Sequence, residues 1–124
     1  MAAMLWVGLG GFAGANARYL LGGWVASRFG ATFPYGTYVI NVTGSFILGF
    51  FLAFAEDRAW VAPSLRLLFA VGFVGAYTTF STFEYESIRL LQERELLLAG
   101  LYLIGSVLTG GIAVVLGIAL GSSL

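Results

Sequence analysis

The chain has 124 residues, of which 60% are hydrophobic and 10% are charged, and its formal net charge is zero. About a quarter of the residues of a typical soluble domain are charged, so the composition indicates a protein that lies within a membrane. The absence of Cys and His excludes disulfides, thiolate or imidazole metal ligands, and catalysis by either side chain. The balanced charge and scattered arginines predict no nucleic-acid partner.

Four apolar segments are each long enough to cross the hydrocarbon core of a bilayer, which takes about 20 helical residues. The connections between them are short, so no length remains for a soluble domain or a linker. The sequence therefore predicts an all-α integral membrane protein with one four-helix transmembrane domain over residues 1–124. The predicted spans are residues 3–27, 35–55, 65–91 and 96–120.

The first span carries one charged residue, Arg18, near its far end. Its side chain either extends to the membrane interface or forms a cationic mouth that raises the local anion concentration. The same span contains Gly10-x-x-x-Gly14, and similar spacings of small residues occur in the second and fourth spans. Such spacings favour close contact between helices, although they are common in any glycine-rich chain.

The second span places Asn41 and Ser45 one helical turn apart among aliphatic residues. A buried amide needs hydrogen-bond partners. Asn41 is therefore expected either to bind a neighbouring helix or to donate a hydrogen bond to a transported ligand.

The third span is too long for a straight crossing, because 27 residues at about 1.5 Å each exceed a hydrocarbon core of about 30 Å. Gly72 and Gly75 precede the β-branched Thr78 and Thr79, a combination with poor helix propensity. We predict a break between about Gly75 and Phe80, where two half-helices would expose backbone groups at membrane depth. The alternative is a straight, tilted helix whose Ser/Thr face packs on its neighbours.

Phe80 and Phe83 are three residues apart and so share one face of the helix that follows, with Ser81 and Thr82 between them. The edge of an aromatic ring is electropositive and can face an anion, although ordinary apolar packing explains the pair as well. Glu86, near the end of this span, either pairs with Arg89 or lies at the mouth of a pore.

In the fourth span, Tyr102, Ser106 and Thr109 form a polar stripe on an aliphatic helix. The hydroxyls could donate to a moving anion or pack against glycine-rich partners. The arginines flanking the spans are nearly equal in number on the two sides, so the positive-inside bias is small. A chain of this kind is expected to insert in both orientations and to form an antiparallel homodimer with C2 symmetry.

Three segments carry a family resemblance: Gly-Phe-Ala-Gly-Ala-Asn-Ala-Arg-Tyr at 11–19, the Gly-Thr, Asn and Gly-Ser-Phe positions within 36–46, and Gly-Ala-Tyr-Thr-Thr-Phe-Ser-Thr-Phe at 75–83. The chain resembles the CrcB/Fluc fluoride channels along all four spans. The resemblance implies passive export of F⁻, which relieves fluoride toxicity, and a multi-pass protein of the inner or plasma membrane. It also implies a dual-topology homodimer with two antiparallel pores and a structural Na⁺ at its centre.

By position, the resemblance implies pore roles for a set of aromatic, amide, hydroxyl and charged side chains. These residues are Arg18, Asn41, Phe80, Ser81, Thr82, Phe83, Glu86, Tyr102 and Ser106. The backbone carbonyls of Gly75 and Thr78 would hold Na⁺. Two residues depart from the family pattern. Gly110 stands where the polar track of some members continues with a second Ser, and Tyr77 occupies a position in the break that is often Gly.

Three other functions fit the sequence less well or leave its polar residues to packing. A small four-helix exporter of drugs or cations depends on a membrane-embedded carboxylate early in the chain, but no acidic residue precedes Glu56, and Arg18 would repel a cation. A non-transporting membrane assembly subunit would use the Gly, Ser and Thr residues only for packing. A membrane enzyme is disfavoured because the sequence shows no nucleophile with an adjacent base.

Overall fold

The computed structural model describes residues 1–124, and the chain is entirely helical with no strand. Its elements are α1 (Ala2–Phe29), α2 (Tyr35–Ala55), α3 (Pro63–Arg66), a π-helix (Leu67–Val74), α4 (Gly75–Tyr77), α5 (Phe80–Gln92) and α6 (Leu96–Ser123). The segments from α3 to α5 follow one another as a single span of 30 residues, Pro63–Gln92, which we call the third span.

The predicted all-α fold is confirmed, and each predicted span coincides with a helix whose ends lie within three residues of the prediction. Three of these, α2, the third span and α6, are long and apolar enough to cross a membrane. Although α1 has 28 residues, it does not reach the same apolarity, since several glycines together with Asn16 and Arg18 dilute its hydrophobic residues.

The third span is discontinuous, as predicted. Helix α4 ends at Tyr77, and Thr78 (φ −82°, ψ 156°) and Thr79 (φ −147°, ψ 113°) are extended before α5 begins at Phe80. We call Thr78–Thr79 the break. The alternative of a straight helix is therefore wrong, and the two threonines rather than Gly75 are the residues that leave the helix.

The first half of the third span contains a π-helix that the sequence did not predict. Residues 67–74 are wider than an α-helix, and the amide of Gly75 bonds to the carbonyl of Ala70, five residues earlier. Gly72 is buried there, where a Cβ would lie 2.6 Å from the carbonyl oxygen of Val7 on α1. The π-helix thus brings its backbone against α1 at a position that only glycine fits.

Glycines also set the distance between α2 and α6, and we call this contact the α2–α6 seam. A Cβ on Gly49 would lie 2.6 Å from the Val114 carbonyl oxygen, and side chains on Gly117 or Gly121 would clash with the α2 backbone. On the other side of the molecule, Gly10 and Gly14 of α1 meet the π-helix in the same way. The small-residue spacings noted in the sequence are therefore real helix contacts.

Most large apolar side chains of α6 point outward rather than into the chain. Only 21 of the 124 residues are buried, far fewer than a soluble core requires, so lipid or a second protein must cover this surface. The exposed members on α6 include Leu97, Leu101, Ile104, Val107, Leu108, Ile112, Val115 and Leu116.

Candidate functional site

Asn41 of α2 holds the backbone of the break with both of its polar side-chain atoms. Its Nδ2 donates to the Thr79 carbonyl oxygen (3.0 Å), and its Oδ1 accepts from the Thr79 amide (2.8 Å). The Thr79 hydroxyl caps α5 by accepting from the Thr82 amide (3.3 Å), as Ser and Thr commonly do at a helix start. The backbone of Thr79 is thereby satisfied without continuing the helix.

The same arrangement leaves the carbonyls predicted to hold a metal without their helical donors. The Thr79 amide, which would serve the Gly75 carbonyl in a continuous helix, donates to Asn41 instead. The Thr78 carbonyl accepts no hydrogen bond from the chain, whereas its amide and hydroxyl both donate to Val74. No group of three or more acidic, His or Cys side chains could hold a metal, so a cation here would depend on backbone oxygens.

A polar cavity of about 440 Å³ lies on one side of the break, between α1, the start of α2 and α5. Arg18 lines it, and its Nε donates to the Ala76 carbonyl at the end of α4 (3.1 Å). Cationic groups commonly stabilise the last carbonyls of a helix in this way. The other polar residues that line the cavity include Thr37, Thr79, Thr82, Glu86 and Arg89.

A groove of about 250 Å³ lies on the other side of the break, and Asn41, Ser45, Thr78 and Phe80 are among the residues that line it. Thr79 lines both the cavity and this groove. The break is therefore the partition between two spaces, one of which is rich in charge.

Phe80 and Phe83 lie side by side as predicted, with ring centroids 6.1 Å apart and planes inclined at 48°. Phe83 is buried against Tyr102 (centroids 5.0 Å apart), whereas Phe80 is 74% exposed. Both rings line a second, apolar groove of about 390 Å³ against α6. In a single chain, the Phe83 ring is thus fixed by packing, whereas the Phe80 ring is not covered by other residues.

The polar stripe of α6 divides into three different environments. Tyr102 is fully buried, and its hydroxyl donates to Oε1 of Glu86 (3.1 Å). Thr109 donates to the Gly105 carbonyl of its own helix (2.7 Å). Between them, the Ser106 hydroxyl is buried without a hydrogen-bond partner. An unsatisfied buried hydroxyl is costly and is typical of a position that meets a ligand or water.

The alternative pairing of Glu86 with Arg89 does not occur, and Ser81 lies apart from the three spaces described above. Glu86 does not pair with Arg89, because Arg89 contacts Glu93 one turn further along (3.3 Å) while Glu86 bonds to Tyr102. Ser81 is exposed and lines neither the polar cavity nor either groove. Most of the other predicted pore residues line one or more of these spaces, but Ser106 and Tyr102 line none, and Tyr102 is connected to the polar cavity through its bond to Glu86.

Two contributors were missed by the sequence reasoning. Thr79 caps α5 and could have been found because Thr is a preferred residue immediately before a helix. The contact between the Tyr77 hydroxyl and Thr43 Oγ1 (2.8 Å) joins residues 34 apart in the chain. No local pattern in the sequence signals such a pair.

Comparison with known proteins gives a consistent result. The family model described as "CrcB-like protein, Camphor Resistance (CrcB)" matches residues 5–118. A relative from Trichormus variabilis named "Fluoride-specific ion channel FluC" is 53% identical over 116 residues, covering 93% of this chain and 85% of that protein.

Two further relatives carry the same name. The protein of Acidobacterium capsulatum is 48% identical and covers 95% of this chain and 94% of its own length. The protein of Geotalea uraniireducens is 42% identical over the full length of both chains. A broken third span held by Asn41 and a match along nearly the whole sequence lead to one conclusion: the chain belongs to the CrcB family, whose relatives here are named fluoride-specific ion channels.

Proposed function

We propose that the chain is a channel, not an enzyme, that carries F⁻ passively across the inner or plasma membrane and so relieves fluoride toxicity. Membership of the CrcB family and the name shared by its relatives support this function. Within the molecule, the single observation that carries it is the break. The break lies within a helix apolar enough to span a membrane and is bordered by a polar cavity and a groove, and polar backbone persists at membrane depth only if it lines a cavity or is buried.

The pore is completed by a second, antiparallel copy of the chain. In this arrangement α1 also crosses the bilayer, and two copies related by a twofold axis enclose two pores. The exposed Phe80 ring, the open apolar groove beside it and the exposed backbone of Gly75 are surfaces that such a partner would cover. The nearly balanced arginines are compatible with insertion in both orientations.

Fluoride is small and strongly hydrated, so its passage requires donors that replace water in several weak steps. Arg18 in the polar cavity would raise the local anion concentration. Asn41 keeps one Nδ2 proton beyond the one given to Thr79, and the unpartnered Ser106 hydroxyl has its proton free. These groups, with Thr82 and the edges of Phe80 and Phe83, supply donors in series.

Glu86 lines the polar cavity and accepts a hydrogen bond from Tyr102, which would hold the Glu86 side chain at one side of the path. Ser81 would contribute from the partner-facing side of α5. Gly110, where a second Ser would extend the track, has no side chain, and a Cβ there would lie 3.8 Å from Ser45 Oγ. The row of polar groups along the pore is therefore shorter on α6 and continues with Ser45 of α2.

A structural Na⁺ at the dimer centre fits the carbonyls of this chain. Thr78 offers a carbonyl oxygen without a donor, and Gly75 has lost its helical donor to Asn41. Two such oxygens from each copy would hold the ion, in keeping with the preference of hard cations for oxygen. A fixed positive charge supplied there would lower the cost of bringing an anion to mid-membrane.

The test is release of anions from liposomes that contain the purified chain. We expect rapid fluoride release with little chloride release, and no proton-coupled efflux of an organic cation. Equal release of both halides, or cation efflux without fluoride release, would contradict the proposal. The antiparallel dimer is tested separately by tagging the C-terminus in cells: the tag should be accessible from both faces, and a tag on one face only would remove dual topology.

A further inference from the structure

Tyr77, the last residue of α4, is held on three sides although it lies next to an irregular stretch of backbone. It is only 5% exposed, and its ring stacks on Phe73 with centroids 5.8 Å apart and planes 10° apart. Its Cδ1 lies against Gly44 of α2, where a Cβ would come within 3.1 Å. The hydroxyl then reaches Thr43 on the same helix (2.8 Å).

The direction of this hydrogen bond follows from the protons available. The Thr43 hydroxyl lies 2.6 Å from the Val39 carbonyl oxygen, and a carbonyl can only accept. Because Thr43 has a single hydroxyl proton, it donates that proton to Val39 and accepts from Tyr77. The two residues form a chain of donors that ends in the backbone of α2, and the phenol has no other partner in the molecule.

Together with two other side chains, this chain of donors holds the backbone on both sides of Thr78. We call Arg18, Asn41, Thr43 and Tyr77 the struts of the break. Arg18 binds the carbonyl of Ala76 on one side, and Asn41 binds both backbone groups of Thr79 on the other. Tyr77 lies between them, directly before Thr78, and both Tyr77 and Thr79 are tied to α2. The position of the Thr78 carbonyl relative to α2 is therefore set from both sides.

We infer that Tyr77 and Thr43 are positioning residues for fluoride conduction: their hydrogen bond fixes where α4 ends and hence the geometry of the break. The inference rests on the proposed channel function and adds a pair of residues to it. Neither residue lines the polar cavity or the groove at the break, so both act through the backbone that follows Tyr77.

The test measures the fluoride current of single channels in planar bilayers for Tyr77→Phe, Thr43→Val and the double variant. Tyr77→Phe keeps the stacked ring and removes only the phenol hydroxyl, and Thr43→Val keeps the branched shape while replacing the hydroxyl with a methyl group. Each single variant should lower the unitary current roughly fivefold, the factor that corresponds to one ordinary hydrogen bond. The double variant should be no worse than either single variant, because both remove the same interaction.

Two controls separate positioning from general stability. Thr43→Ser retains the hydroxyl and should show the wild-type unitary current. Tyr85→Phe alters an exposed tyrosine on α5 and should also leave the unitary current unchanged. A purely structural role would reduce the number of active channels without changing the unitary current. Unchanged unitary currents, additive losses in the double variant, or a Thr43→Ser variant as slow as Thr43→Val would each overturn the inference. A wild-type chain that passes no fluoride would contradict the proposed function itself.

Discussion

The α2–α6 seam and the break are two ways in which backbone meets its surroundings at membrane depth. At the seam, Gly49 and Gly117 let two intact helices touch backbone to backbone. At the break, the helix is interrupted, and Asn41 and Arg18 replace the hydrogen bonds that were lost. Adding a methyl group at the seam should therefore destabilise the fold, whereas removing a hydrogen bond at the break should reduce conduction.

Adding bulk at the seam should give the largest effect. Gly117→Val would force side-chain atoms into the α2 backbone near Phe46, and overpacking of this kind costs about 3 kcal/mol. We expect loss of the folded protein, measured by size-exclusion chromatography and thermal unfolding in detergent. Gly111→Val is the matched control on the same helix, because a Cβ there meets no atom within 4 Å. Similar stability of the two variants would show that the seam is not tight.

Changing one atom at the break should leave the fold intact but stop conduction. Asn41→Asp retains an acceptor for the Thr79 amide, but an ionised carboxylate would face the Thr79 carbonyl where Nδ2 now donates. We expect fluoride release from liposomes to fall roughly hundredfold, since hydrogen bonds lost at a charged group cost about 3 kcal/mol.

Asn16→Asp is the control for this change, because Asn16 is exposed and bonds only to Phe12 on its own helix. Its fluoride release should stay close to that of the wild type. If Asn41→Asp conducts as well as Asn16→Asp, the Asn41 side chain contributes to packing only and is not part of the fluoride path.

Removing an aromatic edge should give a smaller loss. Phe80→Ile keeps an apolar side chain at a position that is 74% exposed in the single chain, so folding should not suffer. Loss of a polarised ring edge is worth up to about 1.5 kcal/mol, which predicts roughly tenfold slower fluoride release. Phe12→Ile, at a similarly exposed ring on α1, is the control. Equal release from both variants would assign Phe80 to packing alone.

The exposed ion pair beyond the third span should matter least. Arg89 and Glu93 are each more than half exposed, and surface pairs of this type contribute less than about 1 kcal/mol. Glu93→Gln should therefore leave fluoride release unchanged and shift the thermal midpoint only slightly. A large loss of stability would show that this end of α5 is more enclosed than in the single chain, as it would be beneath a partner.

The sequence predicted what depends on local pattern. Span lengths follow from apolar runs, and the break follows from a span too long to be straight with two consecutive β-branched threonines. The glycine spacings on α1, α2 and α6 also gave true contacts. Each of these is a property of neighbouring residues, so a single sequence is sufficient to recognise it.

What the sequence did not predict depends on contacts between distant residues. The π-helix at 67–74 has an unremarkable apolar sequence, and its extra width goes with the close approach of Gly72 to α1. The use of both polar atoms of Asn41 on Thr79, and the pairing of Glu86 with Tyr102 rather than Arg89, depend on how separate helices are placed. Pattern alone identified these side chains as polar but not which atoms they meet.

The struts of the break have a consequence for biosynthesis. Every side chain from another helix that binds it, from Arg18 to Thr43, precedes Thr78 in the chain. When the third span enters the bilayer, the residues that bind it have already been synthesised. The backbone groups of the extended threonines can therefore form their hydrogen bonds as the span inserts. A circular permutation that made the third span first would remove this advantage, and we expect its yield of inserted protein to fall.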